Sequence, residues 1–147
     1  RGCAAGGYVE GGSNSNVIDY ITMASAGNAT DFGDMLVALY YNAGASSTTR
    51  GLIEGGVTAV GGTSNSIEYI TLASTGNATD FGDLTVTKYG RAGVCSKSRA
   101  VFGGGYVDSN VMDYVTIASA GNATDFGDLT VSRSMLSGTS SNHGGLS

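Results

Sequence analysis

The sequence predicts an all-β protein made from three copies of one strand-rich unit. Three observations carry this. The octapeptide Gly-Asn-Ala-Thr-Asp-Phe-Gly-Asp occurs three times unchanged, at Gly27–Asp34, Gly76–Asp83 and Gly121–Asp128. The copies start 49 and 45 residues apart, a spacing found in stacked and radial repeat proteins. Apolar segments are short, β-branched and interrupted by glycine, which argues against helices of ordinary length. The 147 residues are 41% hydrophobic, enough for a core, and include 25 glycines but no proline or tryptophan.

Each unit opens on a glycine-rich head: Arg1–Gly7, Arg50–Gly56 and Arg99–Gly105. Its small residues suit a strand that other backbone approaches closely. A variable segment follows, at Gly11–Asn16, Gly61–Asn65 and Asp108–Asn110. The third unit is four residues shorter here, as expected of a loop. Next come Val17–Ala24 and its copies, rich in Val, Ile, Thr and Tyr and apolar on both faces, the mark of a strand covered on both sides. Asp19, Glu68 and Asp113 interrupt one face at the same place. Buried carboxylates need partners, and Arg1, Arg50 and Arg99 or backbone amides are the expected ones.

The octapeptide then reads as a turn, followed by a strand at Leu84–Lys88 and its copies. A weaker fourth strand is expected at Ala92–Ser96, with equivalents at Ala43–Ser47 and Ser137–Ser141. The units therefore span 1–49, 50–98 and 99–143, and residues 144–147 begin a fourth. About four short antiparallel strands per unit is the pattern of a propeller blade. Rings of this kind hold about 4–8 blades, so three blades predict an incomplete ring with exposed edges. The chain is then expected to belong to a longer array or to close with other copies of itself as a homo-oligomer.

A small-residue strand ending in Gly-Gly, a variable loop, and an apolar strand with an acidic-aromatic pair together resemble the kelch repeat. Here the residues are Gly55-Gly56 with Glu68-Tyr69, and Gly104-Gly105 with Asp113-Tyr114. Lys88 and Arg133 lie near a position where kelch units often carry arginine. Kelch units usually have a tryptophan after the acidic-aromatic pair; Phe32, Phe81 and Phe126 are the candidates for its packing role between blades. The octapeptide is similar to repeats in kelch-like proteins of marine bacteriophages, which are assigned structural or tail-associated roles. The resemblance implies a virion or extracellular location and a glycan or cell-surface ligand.

The candidate site residues are the polar members of the octapeptides: Asn28, Asp31 and Asp34; Asn77, Asp80 and Asp83; Asn122, Asp125 and Asp128. As turn residues they would bond nearby backbone amides. As a calcium site they would supply oxygen ligands, but their steps of three differ from the steps of two in tight calcium loops. Asn28-Ala29-Thr30 and its copies are also formal glycosylation sequons.

Other chemistry is sparse. A single histidine, His143, assembles no Ser-His-Asp triad and no histidine metal site. Cys3 and Cys95 are not repeat-equivalent and sit in no zinc-type spacing; their pairing stays open. The Gly-Gly runs lack the Lys-Ser/Thr of a phosphate loop. A net charge of −5 without a basic cluster argues against nucleic acid, and no apolar run is long enough for a membrane helix.

The expectation is a non-enzymatic structural or binding module of a phage tail or fibre, or of another extracellular assembly, with the inter-blade loops carrying recognition. The alternatives are a repeat subunit of an extracellular, glycosylated filament and, less favoured, a propeller-type glycan-active enzyme. The enzyme would need a non-repeated cluster of carboxylates or histidines, and none is visible in the sequence.

Overall fold

The computed structural model describes residues 1–140. The chain is all-β, with several antiparallel sheets, none of them closed. Sheet 1 contains β1 (Gly2–Ala5), β4 (Val17–Ile21) and β5 (Thr30–Asp34), in the order β1-β4-β5. A small hairpin of β2 (Tyr8–Val9) and β3 (Ser13–Asn14) projects from it. In sheet 2, β7 (Ala43–Ser46), β8 (Arg50–Thr58), β9 (Thr63–Thr71) and β10 (Thr79–Asp83) run as a meander, and β6 (Leu39–Tyr40) pairs with the far end of β8. Sheet 3 repeats the meander with β11 (Ala92–Cys95), β12 (Arg99–Gly103), β13 (Ser109–Thr116) and β14 (Thr124–Arg133).

Sheets 2 and 3 each borrow the first strand of their meander from the preceding sequence unit. Residues 43–46 pair with β8, and residues 92–95 pair with β12 in the equivalent register. The expected strands at Ala43–Ser47 and Ala92–Ser96 therefore exist, but each serves the next sheet. Within Ser137–Ser141, residues 137–140 form no strand; Ser141 lies outside the described residues, as do His143 and the 144–147 segment.

The third strand is corrected. Leu84–Lys88 is not a strand, nor is its first-unit copy. The strand is the second half of the octapeptide, Thr30–Asp34 and Thr79–Asp83, which the turn residues Gly, Asn and Asp made read as a loop. The physical reason lies in the following sheet. The Leu36 N–H donates to Glu68 Oε2 at 2.9 Å, and the Thr85 hydroxyl donates to Asp113 Oδ1. Both bonds draw the chain away from its own sheet just after the octapeptide. In the third unit no described residue makes the matching bond, and β14 runs on to Arg133, opposite Ser109.

The cores lie between successive sheets. Ile18, Phe32, Met35 and Leu39 pack on Ile53, Ile70 and Ala78 between sheets 1 and 2. Leu52, Ile67, Phe81 and Leu84 pack on Ala100, Phe102, Val115 and Ile117 between sheets 2 and 3. The sheets approach most closely along β7 and β11, where a side chain on Gly93 would collide with the Gly44 carbonyl. Val17–Ala24 is not covered on both sides as expected: Val17, Ile21 and Met23 are exposed. Ile70 and Val115, the counterparts of Ile21, and Ile117, a counterpart of Met23, are buried against a preceding sheet, while Ser66, Val111 and Leu72 are half-buried.

Candidate functional site: the inter-sheet joint

The octapeptide is the joint between sheets. Its strand half carries a β-bulge at phenylalanine: Ile18 faces Gly33 and Asp19 faces Asp31, leaving Phe32 as the extra residue. The same holds for Phe81 and Phe126. A bulge redirects a side chain, and here it turns the ring toward the following sheet. Phe32 and Phe81 are each only 2% exposed, so they fill the packing role expected of them. Phe126 does not; it is 49% exposed.

The loop half of the next octapeptide meets this bulge with backbone bonds. Gly76 N–H donates to the Phe32 carbonyl at 2.7 Å, and Ala78 N–H to the Asp34 carbonyl at 2.8 Å. Asp34 N–H donates to Asn77 Oδ1 at 3.0 Å. One unit later Gly121, Ala123 and Asn122 repeat all three bonds on Phe81 and Asp83, at 2.7, 2.7 and 3.0 Å. A Cβ on Gly33 or Gly82 would lie 2.5 Å from the carbonyl of Gly76 or Gly121, at a φ near 145° that side chains rarely adopt. Close approach thus requires glycine there.

Among the predicted site residues, Asn77 and Asn122 bridge units through their carboxamide oxygens, so those oxygens are committed to protein. Asn28 is exposed. Asp31, Asp80 and Asp125 sit directly across the strand from Asp19, Glu68 and Asp113. Among the described residues no three acidic, histidine or cysteine side chains converge as a metal site would need.

The expected pairing of these acids with the head arginines is corrected. Arg1, Arg50 and Arg99 lie instead over the rings of Tyr20, Tyr69 and Tyr114, 4.6–5.0 Å from the centroids, and each tyrosine meets its bulged phenylalanine edge-on at 6.0 Å. Arg1 also donates to the Leu72 carbonyl at 3.1 Å and Arg50 to the Ile117 carbonyl at 3.0 Å, one unit ahead. A planar guanidinium can stack and donate at once, which explains why it sits on a ring and not on a carboxylate. Glu68 takes the other expected partner, a backbone amide. Its carboxyl is held above the usual range by burial, partly offset by the Leu36 and Val37 N–H groups.

The structure also brings together a non-repeated acidic cluster that sequence reasoning missed. Arg91 and Asp113 form a fully buried ion pair at 2.8 Å, and Arg91 also donates to the Phe102 carbonyl at 2.7 Å. Glu54 is buried nearby, and desolvation pushes its carboxyl up to about 8, with Arg91 opposing and Asp113 adding to the shift. The available signal was departure from the repeat: Glu54 replaces Ala5 and Gly103, and Arg91 replaces Asn42 and Leu136. Two clefts on the molecule are lined by none of the three. Among the described residues Arg91 bonds only sheet 3 groups, Asp113 and the Phe102 and Val111 carbonyls, while Glu54 of β8 is buried with its Oε2 unpartnered.

A second missed feature is a row of rings. Tyr8, Tyr40, Tyr41, Tyr89 and Tyr106 follow one another with centroids 4.8–5.8 Å apart. Tyr8, Tyr41 and Tyr106 are exposed. The row crosses all three units beside the variable loops, since Tyr8 belongs to the first hairpin and Tyr106 borders the third loop. Cys3 and Cys95 are both free thiols.

No protein-family model matches the chain, and no curated protein matches it.

Proposed function

We propose that the chain is a non-enzymatic structural and binding module of an extracellular assembly, of the virion tail or fibre kind, whose sheets are kelch-like propeller blades. The joint carries this reading. The most repetitive sequence in the chain is spent on joining one sheet to the next, twice, with the same three hydrogen bonds. Repeats of that kind build scaffolds whose loops are free to vary.

The tyrosine row supports a glycan as the ligand. Exposed phenol rings combine an apolar face, which stacks on the C–H face of a pyranose, with a hydroxyl that hydrogen-bonds at the rim. Affinity electrophoresis in gels containing neutral or acidic polysaccharides tests this. The expected result is retardation of the wild type by at least one polymer and its loss in Tyr8→Ser/Tyr41→Ser. Unretarded migration in every polymer overturns the glycan reading. An intact mass without hexose additions is expected for this module; added hexose steps favour a glycosylated filament.

A further inference from the structure

We propose that a second copy of this chain docks head to tail, its Ser137–Ser140 segment adding as a fourth strand on β1 and its β14 face closing over Gly27–Ala29. This deepens the structural-module reading and rests on it.

The first half follows from register. Sheets 2 and 3 each receive a first strand, β7 on β8 and β11 on β12, whereas sheet 1 has three strands and nothing among the described residues pairs with the outer edge of β1. A cleft of about 590 Å³ runs beside that edge, lined by Gly2 and Cys3, by Gly44 and Ala45, and by Ser140 of the same chain. By repeat position the strand equivalent to β7 and β11 is Ser137–Ser140. In its own chain it belongs to no sheet and touches β11 through a 3.2 Å bond from Cys95 N–H to Ser140 Oγ. Unpaired strand edges are templates for another chain. In the register of the existing pairs, Thr139 of one copy falls opposite Cys3 of the other.

The second half follows from two half-joints that match. Among the described residues, the Phe126 and Asp128 backbone groups make none of the inter-unit bonds made by Phe32, Asp34, Phe81 and Asp83. At the other end, Gly27, Asn28 and Ala29 are exposed, where Gly76–Ala78 and Gly121–Ala123 bond a preceding unit. Arg99 stacks on Tyr114 as its equivalents do, and the carbonyl matching those of Leu72 and Ile117 is that of Met23. Thr130 and Asp19 match Thr85 and Asp113, which bond across the second joint. Phe126 on one face and Ile21 on the other are 49% and 45% exposed, against 2–3% for their counterparts within the joints. What covers such a face elsewhere in the molecule is the next copy of the same unit. The interface is heterologous, so it closes a ring or propagates as a filament; two copies would give six sheets, within the range of about 4–8 for rings.

The test uses the full chain. Sedimentation velocity over a concentration series is expected to show association, weakened roughly tenfold or more by Phe126→Asp. In a Cys95→Ser background, Thr139→Cys is expected to form a disulfide with the native Cys3 of another copy. It then appears as a cross-linked dimer or ladder on a non-reducing gel, and it is lost when Cys3→Ser is added. A monomer at every concentration, association indifferent to Phe126→Asp, or a Cys3–Thr139→Cys link confined to single chains overturns the inference. Because both variants lie away from the tyrosine row, such a failure leaves the polysaccharide result, and with it the module reading, standing on its own.

Discussion

The second joint and the outer face of sheet 3 are built from the same eight residues, yet they differ in nearly every structural respect. Phe81 is 2% exposed and Phe126 is 49% exposed. A Cβ on Gly82 would strike the Gly121 backbone at 2.5 Å; a Cβ on Gly127 would meet nothing within 4 Å. The strand holding Phe81 stops at Asp83, whereas that holding Phe126 continues to Arg133. The first difference is one of packing and the last is one of secondary structure, but both have the same cause. A neighbouring sheet offers Asp113 to Thr85, and among the described residues no acid bonds Thr130. The strand boundary is thus set by an adjacent unit and not by local propensity.

The largest expected effect of breaking this contrast is at the ring itself. Phe81→Ala removes a fully packed side chain and is expected to cost roughly 3–5 kcal/mol, while Phe126→Ala costs below about 1 kcal/mol. Urea denaturation midpoints, taken at dilutions where the chain is monomeric, compare the two. Equal losses would mean that the outer face is already covered.

A similar or slightly smaller effect is expected at the buried ion pair. Arg91→Leu strands Asp113 without its cation and is expected to cost about 3 kcal/mol or more, whereas Arg91→Leu with Asp113→Leu recovers most of it. Hydrogen exchange should place the loss in sheets 2 and 3 and spare β4 and β5. A double variant as unstable as the single one would show that the pair is not balanced charge against charge.

Taken per pH unit, the smallest effect is a pH slope. Glu54 holds its proton up to about 8 in the folded chain, against 4.5 when unfolded. Between those values unfolding releases a proton, so raising the pH favours the unfolded state by about 1.4 kcal/mol per unit. The contribution is full below 4.5 and lost as the pH passes about 8. Glu54→Gln is expected to flatten the stability profile between these limits. An unchanged profile would place Glu54 in water and loosen the second joint.

Much of the architecture was legible in the sequence. The triple octapeptide fixed the repeat, and β-branched runs such as Val17-Ile18 and Ile67–Ile70 marked the central strands. Phe32 and Phe81 were recognisable as the inter-sheet plug, but nothing in the sequence set Phe126 apart from them. The joint itself was hidden. Asn77 and Asn122 read as turn formers since turn chemistry is local, while their bonds reach residues 43 and 39 positions away. Glu54 and Arg91 were hidden because they lie 37 positions apart, one in β8 and the other in the segment before β11; only folding makes them neighbours.

Repetition, glycine spacing and hydrophobic alternation therefore determined by themselves that the chain is all-β and built of equivalent units. These signals act within a strand or a turn, where a residue's neighbours are its neighbours in sequence. Tertiary structure decided which strand belongs to which sheet, where each third strand stops, which acid is buried and which octapeptide is a joint. Those outcomes depend on what the adjacent unit supplies, and three identical octapeptides cannot record that they have different neighbours.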